Sequence, residues 1–208
     1  MSFSIEEVRA FKSWKLYEVT LHDRVVETTV TSSAKVAGGW INNHLQAPCH
    51  HHKKIVGLDI EWRPSFTKGV QNPVAVLQLC IRKCCLIFQI YQASHIPRSL
   101  RKALKNPNIT YTGVRISCDV KKLCGDYDLE VSSAVNVACL AANEFEDKEY
   151  KKAGLKTLVE EIIGEEMEKP KHVAMSKWDA KNLSFAQVKY ACADAYYSYK
   201  LGKILTDF

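Results

Sequence analysis

Short apolar runs separated by polar turns dominate the first half of the chain, whereas stretches with helical spacing dominate toward its end. Two β-rich runs around His22, Asp23 and Arg24 predict a hairpin over 14–31. Further strands are predicted where apolar and β-branched residues are concentrated, at 55–62, 74–81, 85–90 and 109–116. The density of apolar residues in 74–81 and 85–90 is typical of central strands.

Helical spacing or helix-forming composition predicts helices at 34–46, 99–106, 118–127, 155–166 and 184–205. Ser184 is a suitable N-cap for the longest of them. The mainly apolar segment 133–145 fits a strand or a helix. This order of elements predicts an α/β fold, with a mixed central sheet flanked by helices and an N-terminal β-hairpin extension. No repeat or long linker divides the sequence, so residues 1–52, the hairpin and a short helix, are predicted to belong to the same domain as residues 53–208.

Composition limits the class of protein. The chain has 208 residues, 47% hydrophobic and 25% charged, which fits one globular domain and argues against global disorder. The apolar runs are too short to span a bilayer, and Glu6, Glu7 and Arg9 lie where a signal peptide needs apolar residues. Eight cysteines without a C-x-x-C pair favour reduced thiols. We therefore expect a soluble cytoplasmic or nuclear protein with no membrane association.

The formal net charge of +6 permits a polyanionic partner such as nucleic acid, although a solvated mixed-charge surface explains it as well. Two local clusters each have a functional and a structural explanation. The loop Cys49-His50-His51-His52 lacks the paired spacing of a structural zinc site and is better explained as a flexible loop. The basic residues of one predicted helix fit either phosphate contacts or a solvated face: Arg98, Arg101, Lys102 and Lys105.

Two acids stand at the end of an otherwise apolar predicted strand. Asp59 and Glu61 are two residues apart and therefore share one face of the strand. Two like charges beside a core are costly, and a divalent cation relieves both the desolvation and the repulsion. A strand end that has reached solvent is the alternative, and the motif alone does not choose between the two.

Two more predicted elements contain an acid beside an apolar face. Tyr190 and Asp194 are four residues apart on the longest helix and so share a face. Taken alone, a core tyrosine beside a surface aspartate is the simpler explanation. Asp119 lies at the start of a helix, where it complements the helix dipole. Taken together, four carboxylates and a tyrosine match the hard oxygen donors that Mg²⁺ or Mn²⁺ prefers in two-metal phosphodiester chemistry.

At this point the sequence resembles the DEDD superfamily of 3′–5′ exonucleases, which have a DnaQ-like form of the RNase H-like fold. The similar segments follow the family order: LDIEW at 58–62, VAVLQLC at 74–80, TGVRISCDVKKL at 112–123, GLKTLVEEIIG at 154–164, SKW at 176–178 and YACADAYYSY at 190–199. They extend over about residues 53–206. Tyr190, together with Ala193 where the histidine branch has histidine, indicates the tyrosine branch, which includes ribonuclease D and the Werner syndrome exonuclease domain.

The resemblance implies roles for individual residues. Asp59, Glu61, Asp119 and Asp194 would bind two divalent cations, Mg²⁺ or Mn²⁺, and Tyr190 would position the nucleophilic water. Trp62 resembles the aromatic residue that packs near the terminal nucleotide, although plain core packing explains it as well. Residues 53–208 would then form the 3′–5′ exonuclease domain. Asn136 departs from the family, many members of which have a further aspartate there.

The resemblance also implies a substrate and an assembly. We expect hydrolysis of single-stranded nucleic acid from its 3′ end to nucleoside 5′-monophosphates. Similarity to small plant members and the absence of helicase motifs favour RNA over DNA. The same plant members imply a homo-oligomer, with a ring hexamer as one arrangement. Two alternatives differ in function: a nucleic-acid-binding or scaffold protein that has this fold and little catalysis, and an RNase H-type endonuclease.

Overall fold

The computed structural model describes residues 3–46 and 53–206 of the chain. The strands in these ranges are β1 Ser4–Ala10, β2 Trp14–Leu21, β3 Arg24–Thr31, β4 Lys54–Glu61, β5 Val76–Ile81, β6 Cys84–Phe88, β7 Ile109–Gly113 and β8 Ala134–Asn136. The α-helices are α1 Ala34–His44, α2 Arg98–Leu104, α3 Ile116–Tyr127, α4 Val137–Glu144, α5 Leu155–Leu158, α6 Lys171–Ala174 and α7 Phe185–Thr206. Short 3₁₀ turns cover Ile90–Gln92 and Lys148–Lys152, and a π-helical turn covers Val159–Ile163.

All the described strands form one mixed sheet in the order β1-β2-β3-β6-β5-β4-β7-β8. β4 is antiparallel to β5 and parallel to β7, and β7 is parallel to β8. Helices α4, α5 and α7 pack on one face of the sheet, and α1, α2 and α3 pack on the other. This arrangement confirms the predicted α/β fold with a mixed central sheet flanked by helices.

Three features correct or complete the sequence prediction. β1, which was not predicted from the sequence, adds an edge strand to the hairpin. Its alternation of exposed and half-buried positions covers only Ser4–Glu7, before a bulge near Val8 interrupts the register. The ambiguous segment 133–145 is both strand β8 and helix α4. The single helix predicted over 155–166 divides into α5 and the π-helical turn, which ends at Gly164 with a positive φ of 72°.

The N-terminal strands are continuous with the rest of the sheet. β3 pairs in parallel with β6, from Glu27 opposite Cys84 to Thr31 opposite Phe88. Buried residues of β2 and β3, such as Val19 and Val26, pack in the same core as α7. Within the described residues, no helix combines the length and the apolar character needed to cross a bilayer.

Candidate active site

The ends of two parallel strands bring three of the predicted acids to one edge of the sheet. Asp59 and Glu61 lie in the last three positions of β4, and β7 runs parallel beside that strand. After β7 ends at Gly113, the chain enters α3, where Asp119 lies in the first turn. Because parallel strands end at the same edge, Asp119 lies beside the acids of β4.

Helix α7 contributes the fourth acid because it packs directly on β4 at a glycine. A Cβ atom at Gly57 would overlap the carbonyl oxygen of Ala195 and lie 2.6 Å from the backbone nitrogen of Tyr199. Only glycine permits this approach of two backbones. Asp194 immediately precedes Ala195, so this contact places its carboxylate beside that of Asp59.

The four carboxylates form one electrostatically coupled cluster. Asp194 is 2% exposed, and Asp59, Glu61 and Asp119 are half-buried. Burial and the charge of Asp59 raise the pKa of Asp119 to about 8. The same two causes raise the pKa of Asp194 to about 7, although the charge of Lys169 opposes this shift. Burial, followed by the charges of Asp59 and Asp194, raises the pKa of Glu61 to about 10. Burial also raises the pKa of Asp59. Burial and mutual repulsion thus disfavour the charged forms of these carboxylates.

Lys169 supplies the cation that the structure brings into this cluster. Its ammonium lies 2.9 Å from Oδ2 of Asp194 and 5.4 Å from the ring centre of Tyr190. Although burial opposes it, attraction to Asp194 and Asp59 raises the pKa of Lys169. Sequence analysis missed this residue, since it lies in an irregular segment with no periodic pattern. The available signal was a lysine directly after the acidic run Glu165–Glu168.

The donor set fits divalent cations. The carboxylates are hard oxygen ligands, and Oδ1 of Asp194 is buried without a hydrogen-bond partner among the described residues. As arranged, no three acidic, histidine or cysteine side chains in residues 3–46 and 53–206 are grouped so that they could hold a metal ion. The Lys169 ammonium instead neutralises part of the cluster. Donor chemistry thus favours a cation site, whereas the present arrangement is that of a lysine-paired cluster.

Tyr190 lies over the cluster on the same face of α7 as Asp194. It is 8% exposed, and its ring packs 5.9 Å from that of Trp178, whose Nε1 donates to the carbonyl of Ala174. Burial, together with the charge of Asp194, raises the pKa of the phenol, so the hydroxyl keeps its proton at neutral pH. It can therefore donate a hydrogen bond toward the acids.

Trp62 follows Glu61 and lies at the border of the cluster and an open cavity of about 480 Å³. Its side chain is half-buried, and the ammonium of Lys122 lies 5.1 Å from its ring centre. The loop after it lines the cavity with Pro64, Ser65, Thr67, Gly69, Val70 and Gln71. The accessible aromatic face fits stacking as well as core packing.

Gln78 is a second residue that sequence analysis did not single out. It lies directly opposite Asp59 in the β4–β5 pairing and is fully buried. Neither polar atom of its side-chain amide has a hydrogen-bond partner within the described part of the chain. Cross-strand neighbours share a face of the sheet, so this amide lies beside the acidic cluster. A glutamine inside the apolar run VAVLQLCI was the signal.

Asn136 has a structural explanation. Its Oδ1 accepts hydrogen bonds from the backbone nitrogen of Ala138 at 3.1 Å and from that of Arg115 at 3.3 Å. The side chain thus caps α4 and ties it to the chain that leads into α3. An asparagine satisfies both donors without adding a further charge to the acidic edge.

The basic residues of the predicted helix 99–106 are partly engaged within the fold. Arg101 donates to the carbonyls of Asp128 and Tyr127, and Lys105 pairs with Glu130, so these members of the basic helix are engaged within the fold. The Cys49–His52 loop lies outside the described residues.

The comparisons with known proteins agree with this geometry. The model of a family described as "3'-5' exonuclease" matches residues 34–207. A 3'-5' exonuclease of Arabidopsis thaliana is 37% identical over 155 residues, covering 74% of this chain and 53% of the relative. The bifunctional 3'-5' exonuclease/ATP-dependent helicase WRN of Mus musculus is 34% identical over 143 residues, covering 68% of this chain and 10% of that protein.

A solved structure extends the comparison to the fold. Escherichia coli RNase D superposes with a TM-score of 0.71 at 19% identity, over 86% of this chain and 44% of that one. The fold is thus that of the DnaQ-like exonucleases. The chain belongs to the 3′–5′ exonuclease family, which confirms the family resemblance seen in the sequence. It spans about half the length of the Arabidopsis relative and a tenth of the mouse one.

Proposed function

We propose that this chain is a metal-dependent 3′–5′ exonuclease that hydrolyses single-stranded nucleic acid to nucleoside 5′-monophosphates. The observation that supports it most is the buried cluster of four carboxylates beside Tyr190, within a chain of the 3′–5′ exonuclease family. Enzymes of this family use divalent metals and act on nucleic acid. Divalent cations would displace the protons that burial and mutual repulsion favour on these acids, so metal binding should release protons at neutral pH.

Each residue of the cluster has a proposed role. Asp59, Glu61, Asp119 and Asp194 would hold two divalent cations, Mg²⁺ or Mn²⁺, which supply Lewis-acid stabilisation of the phosphodiester oxygens when bound. The protonated Tyr190 hydroxyl would orient the attacking water by donating or accepting a hydrogen bond. Trp62 would stack on the base of the 3′-terminal nucleotide, since its ring borders the open cavity.

The test is digestion of a 3′-end-labelled single-stranded oligonucleotide with Mg²⁺ or Mn²⁺. We expect release of labelled mononucleotide, abolished by chelator and reduced by about 10³-fold or more in Asp59→Asn, which keeps the side-chain shape and removes the charge. Asp23→Asn, in the exposed β2–β3 turn, is the matched control and should retain activity. Full activity of Asp59→Asn, or in chelator, would refute the proposal.

Two further substrates separate the alternatives. A circular single strand offers no 3′ end, so its cleavage would indicate an endonuclease. Binding of a linear strand without turnover in either metal would indicate a nucleic-acid-binding or scaffold protein. We place RNA ahead of DNA on the similarity to small plant members, and parallel digestion of matched RNA and DNA strands measures that preference.

We also propose that the chain forms a homo-oligomer. β1 is one edge of the sheet, but the bulge near Val8 and the charges of Glu6, Glu7 and Arg9 disfavour pairing with another strand there. Contacts through side chains at other surfaces are therefore the expected kind of interface. Light scattering coupled to size exclusion should give a mass that is a multiple of 23.6 kDa, and a monomer mass at all concentrations would overturn this proposal.

A further inference from the structure

Lys169 lies in the acidic cluster but is not one of the four carboxylates or the tyrosine to which a role has been assigned. The segment that contains it lies along α7 and is fastened there by three ion pairs. Glu165 pairs with Lys200, Glu168 pairs with Lys189, and Lys169 pairs with Asp194. Met167, 1% exposed, fixes the same segment in the core. The position of the Lys169 backbone is therefore well determined by its neighbours.

The ammonium of Lys169 provides positive charge at Asp194 that a metal cation would otherwise provide. It lies 2.9 Å from one oxygen of Asp194, while the other oxygen is buried with no hydrogen-bond partner among the described residues. Its charge also attracts Asp59 and Glu61. A buried carboxylate cluster without a counter-charge is strongly destabilised, so the lysine offsets part of that cost.

Charge balance makes the lysine unnecessary once metal is bound. Four carboxylates have a formal charge of −4, which two divalent cations neutralise fully. An ammonium that stayed in contact would leave an excess of +1 and would repel each cation at short range. The side chain of Lys169 is 29% exposed, so its long flexible stem can turn the ammonium toward solvent without moving the backbone.

We propose that Lys169 is a resident counter-ion that holds Asp194 while the site is free of metal and that competes with divalent cations for it. This inference rests on the proposed metal-dependent function. Lys169 is a positioning residue here: it stabilises the acidic cluster of the metal-free protein and sets the cation concentration at which the site fills.

Calorimetric titration with Mn²⁺, in the absence of nucleic acid, tests the competition. Lys169→Met should bind Mn²⁺ about tenfold more tightly than the unsubstituted chain, because the competing charge is removed. Lys169→Arg, which keeps the charge, should bind with the original affinity. Lys189→Met is the matched control, since Lys189 is 27% exposed and pairs with Glu168 rather than with the cluster; its Mn²⁺ affinity should not change.

A second readout is the stability of the metal-free protein. In chelator, Lys169→Met should unfold at a lower temperature than Lys189→Met, and Mn²⁺ should remove the difference. Unchanged or weaker Mn²⁺ binding by Lys169→Met would overturn the inference, as would equal metal-free stability of the two variants.

The unsubstituted chain provides a test that does not depend on the folding of a variant. An amine-reactive ester, followed by mass spectrometry, should label Lys169 faster with Mg²⁺ than with chelator, while labelling of Lys189 stays constant. Equal labelling of Lys169 in both conditions overturns the displacement. If the unsubstituted chain binds Mn²⁺ but Lys169 has no effect, only this inference fails; if the chain binds no Mn²⁺ at all, the proposed metal-dependent function fails with it.

Discussion

At the scale of single residues, Tyr190 is the side chain whose role can be separated from metal binding. Its ring packs against Trp178 and the charge of Asp194 acts on its phenol, so Tyr190→Phe removes the hydroxyl and keeps the packing. We expect kcat to fall about 100-fold with little change in Mn²⁺ affinity, because only the orientation of the water is lost. The control is Tyr197→Phe, which removes a hydroxyl bonded to Glu165 outside the cluster. A Tyr190→Phe enzyme with unchanged kcat would exclude the phenol from the reaction.

The carboxylates also predict how stability depends on pH. Their pKa values lie near 4 in the unfolded chain, and burial raises those of Asp194, Asp119 and Glu61 to about 7, 8 and 10 in the folded chain. Between these limits the folded chain binds more protons than the unfolded chain, so the free energy of unfolding decreases as the pH rises. The decrease should extend from about pH 4 to about pH 10 in chelator. It is measured by thermal unfolding at a series of pH values.

Glu61→Gln provides the check on that pH dependence, because it removes the acid whose pKa is raised to about 10 while keeping its shape. The variant should have a flatter profile between pH 6 and pH 9 than the unsubstituted chain. Saturating Mg²⁺ should flatten the profile as well, since bound cations favour the ionised carboxylates. A profile that rises with pH in chelator would contradict the cluster as described.

At the scale of secondary-structure elements, the contact between α7 and β4 at Gly57 determines whether the site assembles. Gly57→Ala would force the two backbones apart, since its Cβ would overlap the carbonyl of Ala195. We expect a loss of about 1–3 kcal/mol in the free energy of unfolding, together with a loss of activity, because Asp59 and Asp194 would separate. Chemical denaturation and the nuclease assay measure the two effects.

Gly39→Ala is the control for that substitution. Gly39 lies in α1 with no atom within 4 Å of an added Cβ, so alanine should stabilise the chain by about 0.5–1 kcal/mol through helix propensity. Equal stability changes in the two variants would show that the α7–β4 contact is not tight.

The elements also explain which parts of the site the sequence could predict. Asp59 and Glu61 were visible because strand spacing places them on one face, and Tyr190 and Asp194 because helix spacing does the same. Lys169 was not, since it lies in an irregular segment whose position depends on ion pairs with Lys189, Asp194 and Lys200. β1 was not predicted for a similar reason: its bulge and exposed charges interrupt the alternation that identifies a strand.

At the scale of the whole molecule, the basic excess of the chain can reflect contacts with a polyanionic partner or ion pairs within the fold. The formal charge of +6 suggested a polyanionic partner, yet several basic groups are engaged within the fold. Lys169 pairs with Asp194, Lys122 with Asp126, and Lys105 with Glu130.

The order of the strands could be predicted only in outline, because β3 joins β6 across 52 intervening residues and no local pattern specifies that pairing.

Because several basic side chains form ion pairs within the fold, we expect substrate binding to depend only weakly on salt concentration. If cations in the acidic cluster provide the principal grip on the 3′ end, few lysines and arginines contact phosphates. For about three such contacts to a single strand, the logarithm of the affinity should change with the logarithm of the salt concentration with a slope of about −2. The measurement is KM for a single-stranded oligonucleotide at fixed saturating Mg²⁺ over a series of KCl concentrations. Lys105→Met is the control, and it should leave the slope unchanged because Lys105 pairs with Glu130. A slope of about −5 or steeper would mean that an extended basic surface, rather than the acidic edge of the sheet, dominates binding of the strand.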